Sequence, residues 1–315
     1  MSQGTLAEAD ASAKSVGLAD VCAVVVTRRP GPDCVNNLAA LAPQVRELLI
    51  LDNGSTAAAF EPVEAAALQL GARIVRFGLD LGTGAALNFA LESARQQGFQ
   101  WLATFDQDTR ASAAMLARML RLLHAYPERS QVALVAPAQV EDFPGRTPGG
   151  AKPAGPTPAA RWQLLPFAVT SGTLVNVEAA SRVGGFDASL FIDYVDEDFC
   201  LRLRRSGYQI LEASEVRMLS PATGMLGGHF PGQPSHRAPA SSERRYYMTR
   251  NRVLLWRRYG SFDRPWLERD VRDFLSEIVA VVRFEKDLPG KLWMVARGLF
   301  DAARDARGAL KRRHR

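Results

Sequence analysis

The 315-residue chain has three cysteines, an odd number with no Cys-x-x-Cys spacing. That excludes a disulfide framework and a cysteine-based zinc site, and it suits a reducing compartment. No stretch approaches the ~20 consecutive apolar residues that a membrane-spanning helix needs. The opening residues MSQGTLAEADASAKSVGLAD lack a basic head followed by an apolar run. A secretory leader is therefore not expected, and the chain reads as a cytoplasmic protein. There are no internal repeats. Nor is the chain acidic: Lys and Arg exceed Asp and Glu by 39 to 33, a formal charge of +6 with a pI near 9.5. Such a balance favours anionic partners, whether nucleotide diphosphates, nucleic acid or a membrane face, without choosing among them.

What is present is a regular alternation. VCAVVVT (21–27), ELLILD (47–52), ARIVRF (72–77), QWLATFDQD (100–108) and QVALVAPAQV (131–140) read as buried strands. Stretches with helical periodicity separate them, one closed by Gly71 and one by Gly98. Strands alternating with helices imply an α/β fold, a Rossmann-like and mostly parallel sheet with helices on both faces. In such sheets ligands bind at the carboxyl ends of the strands, which is where Asp52, Asp106 and Asp108 fall. Two Pro- and Gly-rich stretches, 141–162 and 227–243, read as long surface loops, and the chain beyond them is helical. The expected division is a mobile tail over 1–19, a catalytic domain over 20–225, and a loop plus C-terminal helical region over 226–315.

One stretch, GLDLGTGAA (78–86), is close to the loop with which methyltransferases hold S-adenosylmethionine. Two strands precede it, however, and the third glycine of such a loop is missing. A tight turn opening a helix is the preferred reading, with Gly82 and Gly84 allowing a bound nucleotide-sugar close to the backbone as an intermediate one.

The acidic clusters carry the chemistry. In TFDQDT (104–109), one carboxylate can ligate a hard cation while the other bonds a hydroxyl or a metal-bound water. A metal held by few carboxylates keeps positions open for diphosphate oxygens. Asp193, Asp196, Glu197 and Asp198 crowd into FIDYVDED, at a helix start where the macrodipole stabilises negative charge. They are either capping acids or include a general base. Thr170, Ser171 and Gly172 are either ordinary turn residues, the more frequent case, or a turn small enough for close approach by a substrate.

Taken in order, AVVVTRRPG, LLILDNGS, LGTGAALNFAL, WLATFDQDT, TSGTLVN and GGFDASLFIDYVDEDFCLRLRRSGY resemble the family 2 glycosyltransferases of GT-A fold, above all the bacterial rhamnosyltransferases of O-antigen and related polysaccharides. The resemblance spans about residues 21–212. It implies inverting transfer from a nucleotide-diphospho-sugar, with dTDP-L-rhamnose first in line, to a glycan or lipid-linked glycan. The alternatives kept open are another nucleotide-sugar on the same fold and a non-catalytic binding subunit. Carried over residue by residue, Asp196 is the general base and Asp198 a supporting acid that orients the acceptor or an arginine. Thr27, Arg28, Asp52, Asn53, Gly82, Asp106, Ser171 and Gly172 face the donor. Asp108 holds Mg²⁺ or Mn²⁺, with Asp106 and His229 as further candidates. Arg250 and Asn251, in YYMTRN, would face the diphosphate or the acceptor. Three departures stand out: Arg28 and Arg29 in the first loop, Asp80 in the glycine turn, and Ser220 where relatives carry a histidine. Beyond residue 260, apolar residues at helical spacing with basic neighbours suggest a membrane-surface contact at the inner face, or else helices that dock on the core or make a homodimer contact, and nothing suggests a nucleic-acid module.

Overall fold

A computed structural model describes residues 16–142, 161–221 and 240–310. Its first half follows the expected alternation: β1 (Val21–Thr27), α1 (Cys34–Leu41), β2 (Glu47–Asp52), α2 (Ala57–Leu70), β3 (Arg73–Arg76), α3 (Thr83–Gln96), β4 (Trp101–Asp106), α4 (Met115–Ala125) and β5 (Val132–Asp142). Then come β6 (Trp162–Leu164), β7 (Thr173–Asn176), α5 (Val177–Arg182), α6 (Val195–Arg205) and β8 (Gln209–Pro221). Three helices close the described chain: α7 (Ser242–Tyr259), α8 (Arg264–Phe284) and α9 (Leu288–Ala303).

The strands form one eight-stranded sheet in the order β3-β2-β1-β4-β7-β5-β8-β6. It is mostly parallel: β7 runs against β4 and β5, and β6 against β8. β1 shows why the apolar runs fold as they do. Cys22, Val24 and Val26 face a core shared with α3, α5 and α6, while Val21, Ala23 and Val25 face one shared with α1, α2 and α4. A strand buried on both faces needs an unbroken apolar run, and each covered Val side chain contributes about 1.5–3 kcal/mol.

Two parts of the sequence reading change. The stretch 141–162, read as loop, holds the end of β5 at Asp142 and the start of β6 at Trp162, and residues 143–160 lie outside the described residues. The long strand β8 was not anticipated, because Glu212, Ser214, Glu215 and Arg217 interrupt its apolar pattern. The expected mobile tail lies outside the described residues up to position 15, and Leu18–Asp20 form a single 3₁₀ turn. The C-terminal helices do not form a separate core. Leu254, Leu255 and Tyr259 of α7, Trp266 of α8 and Ala302 of α9 join the cluster beneath α3 and α6.

Burial also settles the cysteines. Cys22, Cys34 and Cys200 are buried, unpaired thiols, and burial pushes Cys22 up to about 12 and Cys34 to about 11.

Candidate active site

The site lies where β1, β2 and β4 end in Thr27, Asp52 and Asp106. Because β7 runs the other way, its leading turn Thr170–Ser171–Gly172 arrives at this same edge. Gly172, at φ 76°, donates its N–H to the Thr104 carbonyl at 2.6 Å. The Asp106 N–H donates to Ser171 Oγ at 3.0 Å, and Ser171 Oγ lies 2.7 Å from Thr109 Oγ1. Thr170 Oγ1 then donates to Asp196 Oδ1 at 2.8 Å. One three-residue turn thus joins the Asp106–Asp108 loop to the start of α6.

The acids brought together disfavour one another's charge. Burial, then Asp108 and Asp196, hold Asp106 well above the usual carboxylate range. Burial also raises Asp108. Asp196 is pushed to about 6 by burial, against the Thr170 hydrogen bonds that favour its charged form, and Asp193 adds to the rise. A carboxyl poised there is mostly ionised at neutral pH yet basic enough to take a proton. Burial raises Glu197 well above its ordinary value, and this side chain faces inward.

Among the described residues, no group of three or more His, Cys, Asp or Glu is arranged to hold a metal ion. The donor set is nevertheless suited to a hard divalent cation that keeps open positions. Asp106 and Asp108 would offer it two carboxylates, whose crowded buried charge such a cation would neutralise. His229, the further candidate ligand, lies outside the described residues.

The nucleoside-side candidates sit around the ends of β1 and β2. Asp52 is fully buried and accepts from Arg76 Nε at 3.2 Å and from the Ser55 N–H at 3.2 Å. Asn53 donates to Asp80 Oδ1 at 2.9 Å and accepts from the Leu81 N–H at 2.9 Å. Arg28 pairs with Asp80 at 3.0 Å, so two departures from the family pattern compensate each other. Thr27 is fully buried, with Oγ1 3.4 Å from the Leu51 carbonyl. Gln107, which the sequence reading passed over, accepts from the Arg28 N–H at 2.8 Å.

Between α5 and α6 the chain takes an unusual path. Phe191 has φ 68° and ψ −65°, and the Ile192 N–H bonds to the Leu190 carbonyl at 2.9 Å, a γ-turn of the rare positive-φ kind. Asp193 and Tyr194 follow at φ 59° and 63°. None of the three is glycine, so each stores strain that neighbouring contacts must offset. Asn251 does this: its Nδ2 donates to the carbonyls of Leu190, Ile192 and Asp193 at 2.9, 2.8 and 2.9 Å. Arg250 donates to Asn251 Oδ1, to the Leu190 carbonyl and to the Gly308 carbonyl.

These contacts change two assignments and narrow a third. Arg250 and Asn251 are almost completely buried and spend their donors on main-chain carbonyls, so they brace the Asp196 loop from behind and do not face a diphosphate. Gly82 is not open to a donor either. A Cβ there would stand 2.5 Å from the Phe191 carbonyl oxygen, and Gly84 meets the Ala188 backbone in the same way. The glycines of LGTG let α3 close on the 187–191 turn, and the Thr83 N–H bonds the Phe191 carbonyl at 2.8 Å. Asp198, expected to orient the acceptor or an arginine, is held by arginines. It is fully buried, with Arg202 Nε, Arg258 Nη1 and Tyr259 Oη each donating at 2.7 Å, so it orients arginines. One cation beside the Asp196 loop was missed by the sequence reading. Arg244, at the start of α7, pairs with Asp193 at 2.8 Å.

Residues 32–184 match the family model "Glycosyl transferase family 2". They form a family 2 glycosyltransferase domain. The chain is 26% identical over 253 residues to the dTDP-rhamnosyl transferase RfbF of Shigella flexneri, covering 76% of this chain and 80% of that protein. Its fold is that of GT-A enzymes. It superposes on the S. aureus TarS 1–349 complex with UDP-GlcNAc with a TM-score of 0.54 at 14% identity, over 91% of this chain and 81% of that one. The mannosyltransferase PcManGT of Pyrobaculum calidifontis, solved with GDP-Man and Mn²⁺, gives 0.53 at 16% identity, over 91% and 86%. The family model ends at position 184, before Asp196, so the transferase's candidate base comes from the segment beyond it.

Proposed function

We propose that the chain is an inverting glycosyltransferase that moves a sugar from a nucleotide-diphospho-sugar, with dTDP-L-rhamnose as the first candidate donor, to a hydroxyl of a glycan or lipid-linked glycan at the inner face of the membrane. The observation that carries this is Asp196: a carboxyl raised to about 6, fixed by Thr170 and tied through one turn to the Asp106–Asp108 loop. The resemblance to a rhamnosyl transferase supports the choice of donor.

In this reading the Asp196 carboxylate accepts the proton of the acceptor hydroxyl as its oxygen bonds to the anomeric carbon. The bond from that carbon to the diphosphate breaks on the opposite face, the electron pair leaves with the diphosphate, and the configuration inverts. Asp108, with Asp106, would hold Mg²⁺ or Mn²⁺, which when bound supplies Lewis-acid neutralisation of the leaving group. Asp52, Asn53, Thr27 and Arg28 line the nucleoside end. Ser171 and Gly172 form the floor beneath the sugar. Arg244 adds positive charge at the rim, a role first assigned to Arg250.

The test is calorimetric binding of dTDP-rhamnose, UDP-sugars and GDP-sugars, each with and without Mn²⁺, followed by transfer assays of Asp196→Asn and Asp108→Ala. Binding of dTDP-rhamnose that depends on Mn²⁺ and Asp108, with transfer lost but binding kept in Asp196→Asn, is the expected result. Binding confined to a UDP-sugar would replace the donor, and binding without turnover by the wild type would make the chain a recognition subunit. Full transfer activity in both variants would end the mechanism.

A further inference from the structure

The outer faces of α8 and α9 are apolar where the fold does not need them to be. Leu275, Val279 and Val282, spaced as one helical stripe on α8, are 59%, 63% and 54% exposed. Phe284 at the end of α8 is 76% exposed, and on α9 Trp293 and Phe300 are 68% and 58% exposed. The inner face of α8 is held by polar contacts as well as by the buried Trp266 and Val281. Arg252 of α7 pairs with Asp270 at 3.2 Å and Glu277 at 3.1 Å, and Trp256 Nε1 donates to Asp270 at 2.6 Å. No helix among the described residues is long and apolar enough to cross a membrane.

Where this face lies matters as much as its composition. Arg252 meets Glu277, and Arg245 meets Glu285 at 2.6 Å, so α8 runs antiparallel along α7. Ser242 donates to Asp287 at 3.1 Å. The corner between α8 and α9, with Phe284, Lys286 and Trp293, therefore sits beside the start of α7. Two residues after Ser242, Arg244 meets Asp193. The apolar corner and the Asp196 loop are at one end of the molecule.

Charge selects the occupant. Between positions 272 and 300 the exposed charged residues are Arg272, Arg283 and Lys286 against Asp287 alone. A second copy docked by a two-fold axis would bring these cations towards their own equivalents. An anionic lipid surface complements them, and Trp and Phe side chains suit its interfacial layer.

We infer that α8 and α9 lie on an anionic membrane surface, with Phe284 and Trp293 inserted at the acyl boundary and Arg272, Arg283 and Lys286 at the headgroups. The contact holds the acid site against the layer from which a lipid-borne acceptor projects. This last consequence rests on the function proposed above, while the surface itself does not.

The experiment is flotation of the full chain with vesicles of phosphatidylcholine alone or mixed with phosphatidylglycerol, at low and high salt. The wild type should float only with phosphatidylglycerol and should be released by salt. The pairs Phe284→Ser/Trp293→Ser and Arg283→Glu/Lys286→Glu should each weaken binding about tenfold or more. Nucleotide-sugar binding by calorimetry should stay unchanged in both pairs, which shows that they remain folded. Absence of flotation, or flotation indifferent to both pairs, would overturn the inference. So would a wild-type dimer in sedimentation that Phe284→Ser/Trp293→Ser dissolves. A chain that floats but transfers no sugar refutes the proposed function and spares the surface. Transfer to a soluble acceptor without flotation does the reverse.

Discussion

Asp196→Asn exchanges a carboxylate for a neutral amide of the same shape at the point where Thr170 donates its hydrogen bond. The amide oxygen can still accept that bond, so the main change is the loss of a charge held where burial disfavours it. Burial moves the group from the ordinary 3.8 to about 6. The folded-state value lies above the unfolded one, so the native chain binds more protons across this window. Stability therefore falls as pH rises from about 4 to 6, and the penalty is complete above that. At about 1.4 kcal/mol per pH unit the penalty is about 0.5 kcal/mol at pH 4 and about 3 kcal/mol at pH 7.5. Water reaching the half-buried side chain trims the larger figure towards about 2 kcal/mol. The asparagine variant should thus be inactive yet more stable than the wild type, with a gain that grows with pH. Urea unfolding of both proteins at several pH values between 4 and 7.5 reads the difference directly. Wild-type kcat/KM should in parallel fall tenfold per pH unit below about 6. If Asp196→Asn is no more stable at pH 7.5, or gains equally at every pH, the reasoning from burial is wrong.

Other outcomes follow from the same contacts. Asn251→Ala removes the side-chain donor from the Ile192 and Asp193 carbonyls, while the Leu190 carbonyl keeps Arg250 and the Ile192 N–H, and should cost about 1–3 kcal/mol in chemical unfolding; it should lower kcat more than donor affinity, since the loop it holds carries the candidate base. Gly82→Ala places a methyl against the Phe191 carbonyl at a φ of 83°. It should destabilise by about 2 kcal/mol or more, and the chain should bind no S-adenosylmethionine with or without the change. Cys22 and Cys34 should resist a thiol reagent in the native chain and react only on unfolding, because burial keeps them protonated; a fast native reaction would contradict this.

The parts of the fold legible beforehand were those in which local pattern and tertiary role agree. β1, β2 and β4 are covered on both faces, so their apolar runs are unbroken and their ends display Thr27, Asp52 and Asp106 where a ligand edge requires them. β8 escaped notice because its partners are β5 on one side and the short β6 on the other, which tolerates Glu212 and Arg217 along its length. The acidic residues of the site were legible for the same reason as the strands: each stands at an element boundary. The bracing residues were not. Whether Arg250 points at a ligand or at the Leu190 carbonyl depends on a turn 60 positions earlier in the chain, and helical spacing alone does not record that. Gly82 shows the same limit. A glycine that admits a ligand and one that admits another backbone look alike until Phe191 is placed against it.

The turn that holds Asp196 in place has a consequence for how the chain is made. Its strained residues depend on Asn251, 58 to 61 positions later, and on Arg250, which in turn reaches the Gly308 carbonyl. Strands β1 to β4 pair with one another, so that part of the sheet can assemble while the remainder is still on the ribosome, whereas β5 waits for β7 and β8. The proton acceptor cannot be set until α7 has emerged and docked. In the function proposed above, a chain ending before α7 would carry the donor-side acids without a fixed proton acceptor, and the docking of α7 would complete the site.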